Sequence, residues 1–129
     1  MELEPIPPEL DHIGKIIVDA AFKVHTTLGL GLLEKVYQIC LAHELAKRGL
    51  RVRREVSVEI GYDTIRVADA FRIDLLVEEC VVIETKAEKE HPVFFAQTLT
   101  HVKLAGLRLG YLINFHSVLI KDGIKRIAV

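Results

Sequence analysis

The chain has 129 residues, half of them hydrophobic, and its 17 Lys and Arg nearly balance 18 Asp and Glu for a net charge of −1. That length suits one domain, 1–129, with a sizeable core, and the charge balance excludes a globally basic surface, so nucleic-acid binding needs a local positive face. No apolar run approaches the roughly 20 residues that span a bilayer, and the acidic, proline-rich opening MELEPIPPEL does not read as a signal peptide.

The expectation is a soluble cytoplasmic protein. Cys40 and Cys80 are too few for a four-cysteine zinc or iron–sulfur site and lack CxxC spacing, so they read as reduced, buried thiols. The other histidines, His12, His25, His43, His91 and His116, show no metal-ligand spacing.

From Glu9 a helical stripe runs through Leu10, Ile13, Ile17, Ala20, Val24 and Leu28 until Gly29 and Gly31 interrupt it. A second helix is expected from about Leu32 to Lys47, with Leu33, Val36, Tyr37, Cys40, Leu41 and Leu45 inward and Gly49 as its stop. The period then falls to two. Val52 to Ile60 predicts a strand, although Arg53-Arg54-Glu55 disturbs its alternation. Gly61-Tyr62-Asp63 predicts a turn, and Ile65 to Val77 a long strand with a bulge near Ala68-Asp69-Ala70. Cys80 to Lys86 predicts a central strand, apolar on both faces. Pro92 opens a third helix with Phe95, Leu99 and Val102 on its stripe, Leu109 to Phe115 predicts another buried strand, and Lys121-Asp122-Gly123 predicts a terminal hairpin between Val118–Ile120 and Ile124–Val129.

Asp74, Glu84 and Lys86 are charges inside otherwise apolar strands. Such groups are rarely buried unless paired or metal-bound. Residues two apart on a strand share a face, so Glu84 and Lys86 point together and Thr85 points away. Two carboxylates suit Mg²⁺, and a neighbouring lysine can orient water or stabilise charge growing on a phosphate. The competing reading is an ion pair on a sheet face. Register discriminates: a two-residue turn at Glu78-Glu79 sets Asp74 opposite Ile83, whereas a three-residue connection or a bulge sets it opposite Glu84.

The segment Gly31-Leu32-Leu33-Glu34-Lys35-Val36-Tyr37, followed in order by FRIDLLVE, IETK, PVFFAQ, GYLINF and LIKDGIKRI, resembles the GxxExxY protein family, within the PD-(D/E)XK nuclease-like, restriction-endonuclease-fold superfamily. The resemblance runs from about Ile13 to the C-terminus. It implies an αβββαβ core with a mixed central sheet flanked by helices, and a Mg²⁺- or Mn²⁺-dependent nuclease acting on nucleic acid, in the first instance DNA. On that resemblance Asp74 is the PD-type aspartate, Glu84 and Lys86 form the (D/E)XK element, and Glu34 is an additional metal ligand. Gln97 corresponds to the glutamine of a QxxxY helix motif that positions water or phosphate. His101 stands where that motif has tyrosine, and Ile73 where the proline would be.

Gln97 and His101 are one turn apart and share a helix face, so both can reach a phosphate. Their competing readings are a surface glutamine and a histidine satisfied beside the sheet. Glu34 in a first helical turn also complements the positive helix end, and Tyr37 is expected to pack with its polar tip bonded. Arg51, Arg53 and Arg54, with Lys47 and Arg48, form the one local basic cluster available to a nucleic-acid backbone. The rival functional class is a catalytically inactive interaction module of the same fold, or a homodimer paired through an edge strand.

Overall fold

The computed structural model describes residues 4–129. Helix α1 (Pro8–Leu28) buries Ile17, Ala20, Ala21 and Val24 along one stripe and stops at Gly29, whose φ of 73° is costly for other residues. Helix α2 (Glu34–Lys47) buries Tyr37, Gln38, Leu41 and Leu45. Leu33 and Val36, expected inside, lie outside the core. The helix begins at Glu34, which leaves Leu33 on the extended chain that enters it. Val36 is rotated off the buried 37–41–45 row.

The strands are β1 (Val52–Tyr62), β2 (Ile65–Val77), β3 (Val81–Lys86), β4 (Leu109–Asn114) and β5 (Ile124–Ala128), with helix α3 (Pro92–Leu104) between β3 and β4. They form one sheet in the order β1-β2-β3-β4-β5, in which only β3 and β4 are parallel. Parallel neighbours need a crossover, and α3 supplies it. Helices α1 and α2 cover one face over Leu75, Val77, Val81, Ile83 and Tyr111, and α3 covers the other over Ile73, Leu76, Val82 and Leu112. The result is the mixed, helix-flanked sheet of a restriction-endonuclease-like α/β fold. Strand β4 is buried at all six positions, as its unbroken apolar run requires. Gly110 lets α3 approach there, since a Cβ would stand 2.5 Å from Val102 Cγ2.

Three expectations need correction. The inward row of α3 is Phe94, Thr98 and Val102, while Phe95 is exposed, because the four-residue spacing from Val102 selects Phe94. No strand forms at Val118–Ile120. Lys121-Asp122-Gly123 lies in a short 3₁₀ turn (Ile120–Gly123), and the last strand pairs with β4 instead. The terminal antiparallel pair is therefore β4–β5, with a nine-residue connection rather than an Asp-Gly hairpin. The first hairpin turns at Asp63-Thr64, between paired Tyr62 and Ile65, two residues later than Gly61.

The expected bulge in β2 is present. Pairing jumps from Val58↔Phe71 to Ile60↔Val67, and Asp69 has a φ of 52°. A second irregularity lies nearer Asp74. Arg54 pairs with Leu75 and Val56 with Ile73, so Glu55 and Asp74 are left out of the ladder, and Glu55 has a φ of 53°. One extra residue on each strand keeps the register and inverts the alternation. Ile73 therefore packs under α3 although Leu75 packs under α1 and α2.

Candidate active site

The β2–β3 connection decides what Asp74 meets. Glu78 and Glu79, both with positive φ, make a tight turn closed by the Cys80 N–H donating to Val77 O at 3.0 Å. Pairing nevertheless starts at Val77↔Val81, which makes Cys80 a third connecting residue. The register then runs through Leu75↔Ile83, where it ends, so that Asp74 and Glu84 are the next residue on each strand. This is the three-residue geometry that a shared site demands.

Pairing of β2 with β3 ends at Leu75↔Ile83, while β3 continues beside β4 as far as Lys86↔Asn114. Asp74 sits where the two strands part. Its Oδ2 accepts from the Thr85 N–H at 2.9 Å and the Thr85 hydroxyl at 3.1 Å. The carboxylate thus takes over a backbone donor that the departing strand no longer satisfies. Alternation places Thr85 on the face opposite Glu84; its bonds to Asp74 depend on a fork in the sheet that alternation does not reveal.

Glu84 is 5% exposed. Burial pushes its carboxyl up to about 7, Asp74 adds to the rise, and His101 opposes it. His101 Nδ1 lies 2.7 Å from Glu84 Oε1, and the His101 ring stacks on Phe71 with centroids 4.5 Å apart. Lys86 makes no carboxylate ion pair among the described residues; its Nζ lies 4.7 Å from the centre of the Phe94 ring. It also lowers the proton affinity of Glu34, so it stands within electrostatic reach of that carboxylate. Glu34 opens α2 from the opposite layer. Its carboxyl is raised, first by burial and then by Asp74, with hydrogen bonding to Thr85 acting against the rise.

Glu34 and Glu84 each lie within electrostatic reach of Asp74, and Glu34 also of Lys86, but among the described residues no group of three or more His, Cys, Asp and Glu side chains is placed to hold one metal ion. A family model of the PD-(D/E)XK nuclease superfamily matches residues 11–127. The chain belongs to that superfamily. Searches of curated proteins and of solved structures find no match. PD-(D/E)XK nucleases generally use divalent metals, and membership points to nuclease activity on nucleic acid.

Gln97 is exposed on α3 one turn before His101 and has no side-chain hydrogen bond among the described residues. Arg51 and Arg53 are held by Glu78 and Glu79 at the β2–β3 turn, with N···O distances of 3.1 and 2.7 Å. Arg54, beside Leu75 in the ladder, donates to Gln38 Oε1 at 3.2 Å. The basic cluster is thus largely matched by local acceptors. No helix among the described residues is long and apolar enough to cross a membrane.

Proposed function

We propose that this protein is a Mg²⁺- or Mn²⁺-dependent nuclease of the GxxExxY branch, a single domain that hydrolyses phosphodiester bonds, in the first instance of DNA. The observation that supports the reading is the three-residue β2–β3 connection, whose last pair, Leu75↔Ile83, leaves Asp74 and Glu84 as the next residue on each strand, with Lys86 two positions beyond Glu84.

The ligand chemistry suits a hard divalent cation, although among the described residues no three carboxylates are placed around one position. Carboxylate oxygens are the ligands Mg²⁺ and Mn²⁺ prefer, and Glu34 and Glu84 both have raised proton affinities partly because Asp74 is near. Added positive charge relieves that repulsion. Asp74 and Glu84 would hold the ion, with Glu34 completing the set from α2. A bound ion supplies Lewis acidity to the scissile phosphate and makes water a better nucleophile.

The chain's own groups do the rest. The Lys86 ammonium, free of a carboxylate partner among the described residues, orients the attacking water or stabilises the extra charge on the phosphorane-like transition state. Thr85 fixes Asp74 through two hydrogen bonds. Gln97, exposed and without a side-chain hydrogen bond among the described residues, is available to position phosphate or water from α3. Arg54 is the member of the basic cluster closest in the ladder to Asp74 and the first candidate for a backbone phosphate contact.

The test is cleavage of single- and double-stranded DNA and RNA with Mg²⁺ or Mn²⁺ by wild type, Glu84→Ala and Lys86→Ala. Metal-dependent cleavage lost in both variants supports the reading. Equal background cleavage by all three overturns it in favour of an inactive interaction module.

A further inference from the structure

The strongest side-chain contact to Glu84 comes from α3, at a position where the family motif carries a different residue. His101 Nδ1 is 2.7 Å from Glu84 Oε1, and both side chains are nearly buried, at 11% and 7% exposure. The imidazole is also held from its face. Phe71 of β2 stacks on it with centroids 4.5 Å apart and planes 21° from parallel. Val102, the next residue of α3, is fully buried against the sheet and anchors the helix there. The ring is therefore fixed by β2 through Phe71 and by α3 through the main chain, and it fixes in turn one oxygen of a carboxylate on β3.

We propose that His101 is a positioning residue for Glu84. It engages Oε1, restricts rotation of the carboxylate, and leaves the remaining oxygen lone pairs in a set orientation for a divalent cation. With Glu84 ionised, Nδ1–H donates and Oε1 accepts. The inference rests on the reading of Glu84 as a metal ligand. A contact that merely satisfies a buried carboxylate would contribute to stability and leave ion affinity alone. A positioning contact changes ion affinity beyond its effect on stability, because hydrogen-bond partners of metal ligands set ligand orientation.

The experiment is calorimetric titration of the full-length protein with Mn²⁺, paired with the Tm of each protein in chelator. His101→Phe keeps an aromatic ring against Phe71 and removes the donor. His101→Gln keeps a donor of similar reach. The expected result is a loss of about 10-fold or more in Mn²⁺ affinity for His101→Phe, most of it restored in His101→Gln. Should His101→Phe not fold, His101→Asn, whose shorter amide falls short of Oε1, takes its place against His101→Gln. Mn²⁺ affinity equal to wild type in His101→Phe, or equal in the Asn and Gln variants, overturns the proposal provided Glu84→Gln has lost affinity. If Glu84→Gln binds Mn²⁺ as wild type does, the metal reading of Glu84 has failed and this inference falls with it.

Discussion

The Tyr37 hydroxyl donates to the Gly29 carbonyl at 2.7 Å and also accepts from the Leu32 N–H at 3.1 Å. Those two bonds close the glycine-interrupted loop between α1 and α2, and the loop delivers Glu34 as the first residue of α2. The Tyr37 ring is fully buried and stacks on Phe115 with centroids 4.5 Å apart. The glycine, glutamate and tyrosine of this segment thus form one device: the glycines bend the chain, the tyrosine locks the bend, and the glutamate is presented by it.

Tyr37→Phe keeps the stack and deletes both bonds. Losing a partner for buried or half-buried backbone groups costs about 1–2 kcal/mol, which lowers Tm by roughly 3–8 °C for a chain of this size. Thermal unfolding of the variant gives the number. A Tm equal to wild type would mean that water replaces the hydroxyl and that the loop does not depend on Tyr37.

Asp74→Asn separates stability from function. The amide oxygen can still accept from the Thr85 N–H and hydroxyl, while the negative charge beside Glu84 disappears. The metal-free variant should unfold at the same temperature as wild type or higher, yet lose about 100-fold or more of its cleavage rate. Retained cleavage would remove Asp74 from the site; a lower Tm would contradict the repulsion between the two carboxylates.

Stability without metal should fall as pH rises. The folded-state carboxyl of Glu84 is raised to about 7, whereas an unfolded one titrates near the ordinary 4.5. Below the unfolded value both states hold the proton and folding has no penalty. Between the two values the unfolded chain releases its proton first, so stability is progressively lost, up to about 3 kcal/mol by pH 8. The raised carboxyl of Glu34 acts in the same direction. Urea unfolding in chelator at pH 5 and pH 8 measures the slope. Glu84→Gln should flatten it, and an unchanged slope would show that the titration belongs to other groups.

Gly110→Ala tests the seating of α3. The added methyl meets Val102 Cγ2 at 2.5 Å, with Val82 O next at 3.4 Å, so the helix must move or Val102 must leave its rotamer. Overpacking of this kind costs about 1–3 kcal/mol. His101 precedes Val102 on the same helix, so the variant should also weaken the His101–Glu84 contact. Chemical denaturation reports the first effect and Mn²⁺ titration the second. Wild-type stability would mean that the crossover packs more loosely than these distances imply.

Much of this molecule follows from local rules. Helical spacing marks α1, α2 and α3, a period of two and unbroken apolar runs mark the strands, and the sheet-bound charges Asp74, Glu84 and Lys86 stand out because apolar segments seldom carry them. Gly29 and Gly31 are visible as punctuation because glycine ends a helical stripe. Even the disturbed alternation at Arg53-Arg54-Glu55 falls where the ladder skips Glu55 and Asp74.

What the sequence left open depends on parity and on contacts between distant segments. Whether Asp74 meets Ile83 or Glu84 turns on a single residue, Cys80, which can count as strand or as connection; only pairing across the sheet assigns it. Strand β4 is chosen over Val118–Ile120 as the partner of the last strand by the surfaces available to pair with rather than by any local preference. The bond from His101 to Glu84 spans seventeen positions and two elements, and the fork at which Asp74 reaches Thr85 exists only because β2 leaves a sheet that β3 and β4 continue. Sequence periodicity determines which face a residue occupies within its own element; the tertiary structure alone decides which faces meet, because that is set by register and close packing among residues far apart in the chain.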